Sequence, residues 1–285
     1  MAEKKIEKGF EKSPEKMRLN KFIAHYSTYS RREADKAIQD GFVKINNAVQ
    51  DNPAFQVHPK FDKVYVSGKM ITVNDIFTVI VYNKKKGELV TKSDPRGRKT
   101  IYDTLGSKFK HFIPVGRLDF ATEGLLLLTD ASIVANVMMT SSLEREYKVK
   151  IKGSVTPAME EAMKNGLELE DASAGSHALS AKVAMTFAPF NAYSIIKDTP
   201  NYSILKIAIA EGQNREIRRF FAHFGADVAD LKRYSFGGIE LNNLPEGKTR
   251  FLDRAEYAHL RAFIDTEKTR KKNEDSKPQY TDEED

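Results

Sequence analysis

Three short stretches of this chain carry side chains able to do chemistry. In Pro114-Val115-Gly116-Arg117-Leu118-Asp119-Phe120-Ala121-Thr122-Glu123-Gly124, a single carboxylate, Asp119, follows a basic residue and lies between two glycines, directly before the apolar run Leu125 to Leu128. An aspartate so placed is either a turn residue, since Asp beside Gly is common turn chemistry, or a nucleophile or base presented next to a strand. In Leu143-Glu144-Arg145-Glu146-Tyr147-Lys148-Val149, Tyr147 stands in a strand among charges. It is either a packing residue with its hydroxyl at the sheet edge or an aromatic face whose hydroxyl can relay a proton. In Glu211-Gly212-Gln213-Asn214-Arg215-Glu216-Ile217-Arg218-Arg219-Phe220-Phe221, helical spacing puts Ile217, Phe220, Phe221 and Phe224 on one stripe and turns Arg215, Arg218 and Arg219 away from it. Those arginines are either a solvated cationic face or part of a site.

The elements that must position these groups read as α+β. Strands are expected over residues 77–82, 124–129, 146–151, 193–197 and 202–210. Helices are expected from Asp130 as cap through Met139, from the Thr156-Pro157 cap to Gly166, from Asn214 to Gly225, and from Asp253 with Glu256 completing a capping box. Strands dominate without a βαβ rhythm, so a mixed or antiparallel sheet flanked by helices is expected over a doubly wound one. No internal repeat is visible.

Residues 17–70 read as a separate small domain. Leu19, Phe22, Ile23 and Tyr26 fall at i, i+3, i+4 and i+7 of one helix. Ser30 and Glu33 form the capping box of a second, whose inner face is Ala34, Ala37 and Ile38 and which Gly41 ends. A strand over residues 42–46, a turn at Asn46-Asn47 and a returning strand Val64-Tyr65-Val66 complete it. Arg18, Lys21, Arg31, Arg32, Lys36 and Lys44 lie off the apolar stripes, on a face able to track phosphates. Residues 1–16 and 269–285 are too charged to offset their chain entropy and are expected to be disordered tails.

Composition narrows the class. The 285 residues hold 46 Lys and Arg against 40 Asp and Glu, a formal net charge of +6 that favours a polyanionic partner. With no cysteine there is no disulfide, thiolate metal site or cysteine nucleophile, and the six histidines are scattered at no ligand spacing. A metal-dependent nuclease, which needs clustered ligands, is therefore disfavoured. No stretch approaches a membrane span or a signal peptide, and a cytoplasmic monomer is expected.

The 17–70 segment, with Arg-Leu-Asn-Lys-Phe-Ile-Ala, Ser-Arg-Arg-Glu-Ala and Gly-Phe-Val-Lys-Ile-Asn, resembles the S4 RNA-binding domain. The stretch from Pro114 to Thr129 resembles the catalytic Gly-Arg-Leu-Asp signature of the RsuA/RluA-type pseudouridine synthases. Glu144 to Tyr147 is similar to their Glu-Lys/Arg-x-Tyr motif, and residues 211–219 to their Glu-Gly-x-Asn-Arg-Glu-Val-Arg-Arg motif. The resemblance implies a small S4 (αL-like) domain over residues 17–70 followed by a mixed or antiparallel-sheet synthase domain over residues 76–268. It implies Asp119 as the reactive residue, Tyr147 against the flipped uracil and Arg218 paired with Asp119. RNA contacts are implied through Arg117, Arg215, Arg219 and the cations of the S4 segment. The branch implied is the RsuA/RluB one, acting on ribosomal RNA and more similar to its large-subunit (23S) members. Breaking and rejoining a glycosidic bond calls for no cofactor and no metal. Small-subunit (16S) rRNA as substrate, or a non-catalytic ribosome-assembly factor, are the alternatives. The chain departs from the family pattern at Lys85, where proline is usual, and at Gln213, where arginine is frequent.

Overall fold

The computed structural model describes residues 16–27, 29–73, 77–176 and 184–275. The expected tail residues 1–15 and 276–285 lie outside them. The chain divides into two units at Phe77/Thr78.

In the first unit, helices Leu19–Tyr26 and Arg31–Gln39 are followed by a four-stranded sheet ordered Ala48–Val49, Val43–Ile45, Val64–Val66, Lys69–Met70. The Ser30–Glu33 capping box forms in both directions, and Gly41 takes the left-handed C′ position at φ 75°. Asn46 and Asn47 both have positive φ, 48° and 73°, the geometry of a two-residue hairpin turn. The turn leads directly into Ala48–Val49, and Val64–Val66 pairs on the other side of Val43–Ile45. Leu19, Phe22, Ile23, Ala34, Ile38, Val43 and Val64 close a core of their own.

The second unit is built on a mixed sheet whose main path runs Ala192–Asp198, Tyr202–Ile209, Arg145–Lys152, Val228–Phe236, Glu123–Thr129, Val79–Lys84, Thr249–Phe251. Every neighbouring pair on that path is antiparallel except Val228–Phe236 with Glu123–Thr129, which run parallel through Lys232–Glu123 and Arg233–Gly124 alone. The strands Val79–Lys84 and Glu123–Thr129 are buried almost throughout, so their sequences read as apolar runs, whereas Arg145–Lys152 alternates. Ile80, Leu126, Leu128, Val149, Leu205 and Ile207 pack with Phe220 and Phe221 of the helix Glu216–His223.

Two expectations at helix ends are corrected. Asp130 does not cap the helix Ser132–Thr140; its carboxylate accepts from the Thr78 amide, which ties two adjacent strand ends together. The last helix opens with the expected Asp253–Glu256 box but runs on to Asp275. Residues 269–275 of the expected tail are therefore helical. Leu260 and Ile264 are buried, Ser141 donates to Glu267, and Arg270 pairs with Glu267 at 2.9 Å, so the helix is docked as far as Glu267.

Candidate active site

Asp119 is presented by residues 115–122, the loop that enters the strand Glu123–Thr129. The loop is pinned at its backbone. Thr122 N–H donates to the Asp119 carbonyl at 3.0 Å, Gly87 N–H to the Phe120 carbonyl at 2.8 Å and Val115 N–H to the Leu127 carbonyl at 2.8 Å. Beneath it lies Lys84, fully buried at the end of its strand. Its Nζ donates to the carbonyls of Lys85, Asp119 and Thr122 at 2.9, 3.1 and 2.8 Å. Burial pushes this ammonium down to about 8, and Glu88, Asp119 and Glu123 oppose the shift. Lys84 is a positioning residue that the motif reading missed; a lysine closing a strand of buried residues was the available signal.

Replacing Lys84 by Met leaves three carbonyls without their donor. Unfolding in urea is expected to show a loss of about 3 kcal/mol, and an unchanged midpoint would refute the positioning role.

The Asp119 carboxylate faces two guanidinium groups. Arg215 Nη1 is 3.5 Å and Arg218 Nε 3.7 Å from its Oδ2. Both separations are at or beyond the limit of a hydrogen bond, so charge holds the carboxylate without locking it, and a third of its side chain stays accessible. Each arginine is itself anchored. Arg218 donates through Nη1 to the Val228 carbonyl at 3.1 Å, and through Nη2 to the Ala121 carbonyl and Thr122 Oγ1, both at 3.2 Å. Burial and the nearby Arg215 push its guanidinium below the usual value, while Asp119 and Asp230 raise it. Arg215 stands just before the helix in the left-handed conformation, φ 53°, which swings its side chain back so that Nε donates to the Gly175 carbonyl at 2.7 Å. A Cβ on Gly175 would meet the Arg218 carbonyl at 2.5 Å, so the loop at Gly175 touches this helix start as only glycine can.

A cavity of about 300 Å³ opens over the carboxylate. Tyr147, Ile209, Ile217 and Leu231 supply apolar and aromatic wall, and Arg145, Arg215, Arg218 and Arg233 surround it with cationic groups. Arg145 and Arg233 lie on the Phe236 ring at 4.8 and 5.0 Å from its centroid. Arg233 Nε donates to the Leu125 carbonyl at 2.8 Å, whereas its buried Nη2 makes no hydrogen bond. Arg145 and Arg233 were not singled out from sequence. Their role shows only when the strands Arg145–Lys152 and Val228–Phe236, whose two arginines stand 88 positions apart (233 − 145), come to lie side by side.

The structure thus brings Asp119, Tyr147, Arg215 and Arg218 together. Arg117 is exposed at the cavity rim. Arg219 goes elsewhere: it is fully buried and donates to the Ala172 carbonyl at 3.2 Å and to Asn214 Oδ1 at 3.4 Å. It braces the loop that contacts the helix start and faces no RNA, which corrects its expected orientation. In the first unit Arg18, Arg31, Arg32, Lys36 and Lys44 are exposed and Lys21 is half-buried. Burial, with Lys21 and Arg31 adding positive charge, pushes His25 down to about 4, so this helix face carries its charge on Lys and Arg.

The site is thus a carboxylate facing two arginines, at the mouth of a cavity of about 300 Å³ set into a mixed sheet. Comparison with known proteins gives the particular family. Residues 78–223 match the RNA pseudouridylate synthase family and residues 17–60 the S4 domain. A protein of Helicobacter pylori described as an uncharacterized RNA pseudouridine synthase is 50% identical over 250 residues, covering 87% of this chain and 95% of that protein. Ribosomal large subunit pseudouridine synthase B of Bacillus subtilis is 32% identical over 250 residues, covering 87% and 97%. A crystal structure of a pseudouridylate synthase superposes with a TM-score of 0.59 at 27% identity, covering 86% of this chain and 99% of that one. The chain belongs to the RNA pseudouridine synthase family, in its RluB/RsuA branch, with an S4 domain ahead of the synthase domain. Among the described residues, no helix is long and apolar enough to cross a membrane.

Proposed function

We propose that this enzyme isomerises one uridine of ribosomal RNA, in the large subunit (23S), with Asp119, Tyr147 and Arg218 as its reacting and positioning groups. The observation that carries the reading is the Asp119 carboxylate facing Arg215 and Arg218 at 3.5 and 3.7 Å beneath a base-sized cavity. A duplex hides the target atoms, so the nucleotide is extruded into the cavity at a cost of a few kcal/mol. Tyr147 and the aliphatic walls replace part of the lost stacking. In the chemical step the bond from ribose C1′ to uracil N1 breaks, the ring turns, C1′ bonds to C5, the C5 proton is lost to solvent and N1 takes up a proton, so the product is an isomer of the substrate. Asp119 serves either as the nucleophile or as the base that draws a proton from the ribose; both roles need it ionised beside its arginines.

The exposed cations Arg18, Arg31, Arg32, Lys36 and Lys44, together with Lys21, are the proposed phosphate contacts of the S4 domain, which supplies affinity and placement while the second unit supplies chemistry. Arg117 and Arg215 are proposed to contact RNA at the cavity. A cytoplasmic monomer suits this reading. The large-subunit assignment rests on relatives such as the Bacillus subtilis protein named for that subunit. Tritium release from [5-³H]uridine-labelled 23S and 16S rRNA, offered separately, tests it. Release from 23S rRNA alone is expected, release from 16S rRNA alone would move the substrate to the small subunit, and release from neither, with RNA binding intact, would overturn the reading.

A further inference from the structure

Beside the Asp119 cavity lies a wider one of about 660 Å³. The two share Arg117, Leu118, Asp119, Gly212, Gln213 and Arg215, so they form one continuous depression. Its outer wall is the loop over residues 89–98. That loop is closed at its base by Leu89 N–H donating to the Lys99 carbonyl and Ile101 N–H to the Leu89 carbonyl, both at 2.9 Å. Near its tip the Asp94 carboxylate accepts from Arg98 N–H, Nε and Nη2 at 3.0, 3.1 and 2.8 Å. The wall is therefore held by its own hydrogen bonds.

Phe120 lines this second cavity one residue after Asp119. Its carbonyl is fixed by Gly87, and its ring edge lies 3.9 Å from where a Cβ on Gly87 would stand, yet the residue remains 46% exposed. A large aromatic ring beside the reacting carboxylate, backed by a glycine and left uncovered, is the geometry of a stacking platform. Arg117 and Arg215 border the same space with positive charge, while Arg98 there is paired with Asp94.

We propose that this cavity is a second nucleotide subsite, in which a base adjoining the isomerised uridine unstacks onto Phe120 while its phosphate is met by the bordering arginines. The proposal rests on the function proposed above. Extruding one base removes a stacking partner from its neighbour, and an exposed ring next to the catalytic loop gives that neighbour a replacement face. Stacking on an aromatic side chain tolerates every base, so the subsite contributes affinity and register without reading identity.

The test pairs Phe120→Ala with Phe120→Tyr. In a uridine pentamer with 2-aminopurine at the centre, wild type and Phe120→Tyr are expected to quench the probe on binding and Phe120→Ala to lose the quench. On 23S rRNA, Phe120→Ala is expected to lower kcat/KM by about 10- to 100-fold, with Phe120→Tyr restoring it. An abasic nucleotide beside the target uridine should cost wild type the same factor and cost Phe120→Ala nothing more. Because Phe120 is half-exposed, the alanine variant should keep the wild-type urea midpoint. Quenching and turnover unchanged in Phe120→Ala would overturn the subsite and leave the proposed function standing. A quench that depends on Phe120, with no turnover by wild type on any rRNA, would retain the subsite and overturn the function.

Discussion

Asp119→Asn is expected to lower pseudouridine formation by about four orders of magnitude or more, the scale seen when a reacting group is removed from an otherwise intact site. The amide has the carboxylate's shape and leaves the loop's anchors untouched, since those run through backbone carbonyls and Lys84. What it removes is the charge that faces Arg215 and Arg218. RNA affinity should hold or rise, because a negative group leaves a cationic cavity. Measuring single-turnover tritium release and RNA binding on the same preparation separates the two effects. Turnover within tenfold of wild type would dismiss Asp119 as the reacting residue.

The largest structural effect is expected at Gly124. It sits at φ 102° where the two parallel strands meet, and a Cβ there would lie 2.1 Å from the Arg233 carbonyl oxygen and 2.9 Å from its nitrogen. No side-chain rotation relieves a clash with backbone. Gly124→Ala must push the strands Glu123–Thr129 and Val228–Phe236 apart, in addition to the strain of a left-handed alanine. A destabilisation of about 4 kcal/mol or more is expected in urea unfolding, together with lost activity, because the Asp119 loop leads directly into one strand and Arg233 lies on the other. Gly106→Ala is the control. Its φ is 72° with nothing within 4 Å, so it should cost only about 1 to 2 kcal/mol of backbone strain. Equal midpoints for the two variants would refute the close-approach argument.

Local chemistry made much of the fold legible. The Ser30–Glu33 and Asp253–Glu256 boxes, the Thr156-Pro157 start and the Asn46-Asn47 turn depend on residues within four positions of one another, and each forms where the sequence places it. The meeting of Asp119 with Arg218 was legible only through family resemblance, because the two stand 99 positions apart (218 − 119). Assigning the neighbouring arginines by helical periodicity failed for a physical reason. The helix starts at Glu216, so Arg215 is a left-handed cap whose side chain turns back to the carboxylate. The buried arc is also wider than the apolar stripe, since the loop bearing Ala172 and Gly175 covers the flank on which Arg219 lies. Arg145 and Arg233 were invisible for a related reason: Arg145 lies on the Phe236 ring and Arg233 donates to the Leu125 carbonyl, partners that other strands deliver. That the last helix continues past residue 268 was not legible either, because composition alone does not show the face on which its earlier turns dock, here the helix Ser132–Thr140 with Ser141 at its end.

The parallel junction at Gly124 also bears on the order in which the molecule is made. Arg233 reaches the Leu125 carbonyl across 108 positions and Arg218 reaches Thr122 across 96, so the site is closed by contacts of long sequence separation. Loop closure over such distances is slow and comes after local structure. On the ribosome, the loop that bears Asp119 emerges well before the strand and helix that complete it, so the nascent chain carries the carboxylate before its guanidinium partners exist. Catalytic competence is thus deferred until the strand Val228–Phe236 has been synthesised and has docked, so the chain lacks a complete site throughout most of its own translation.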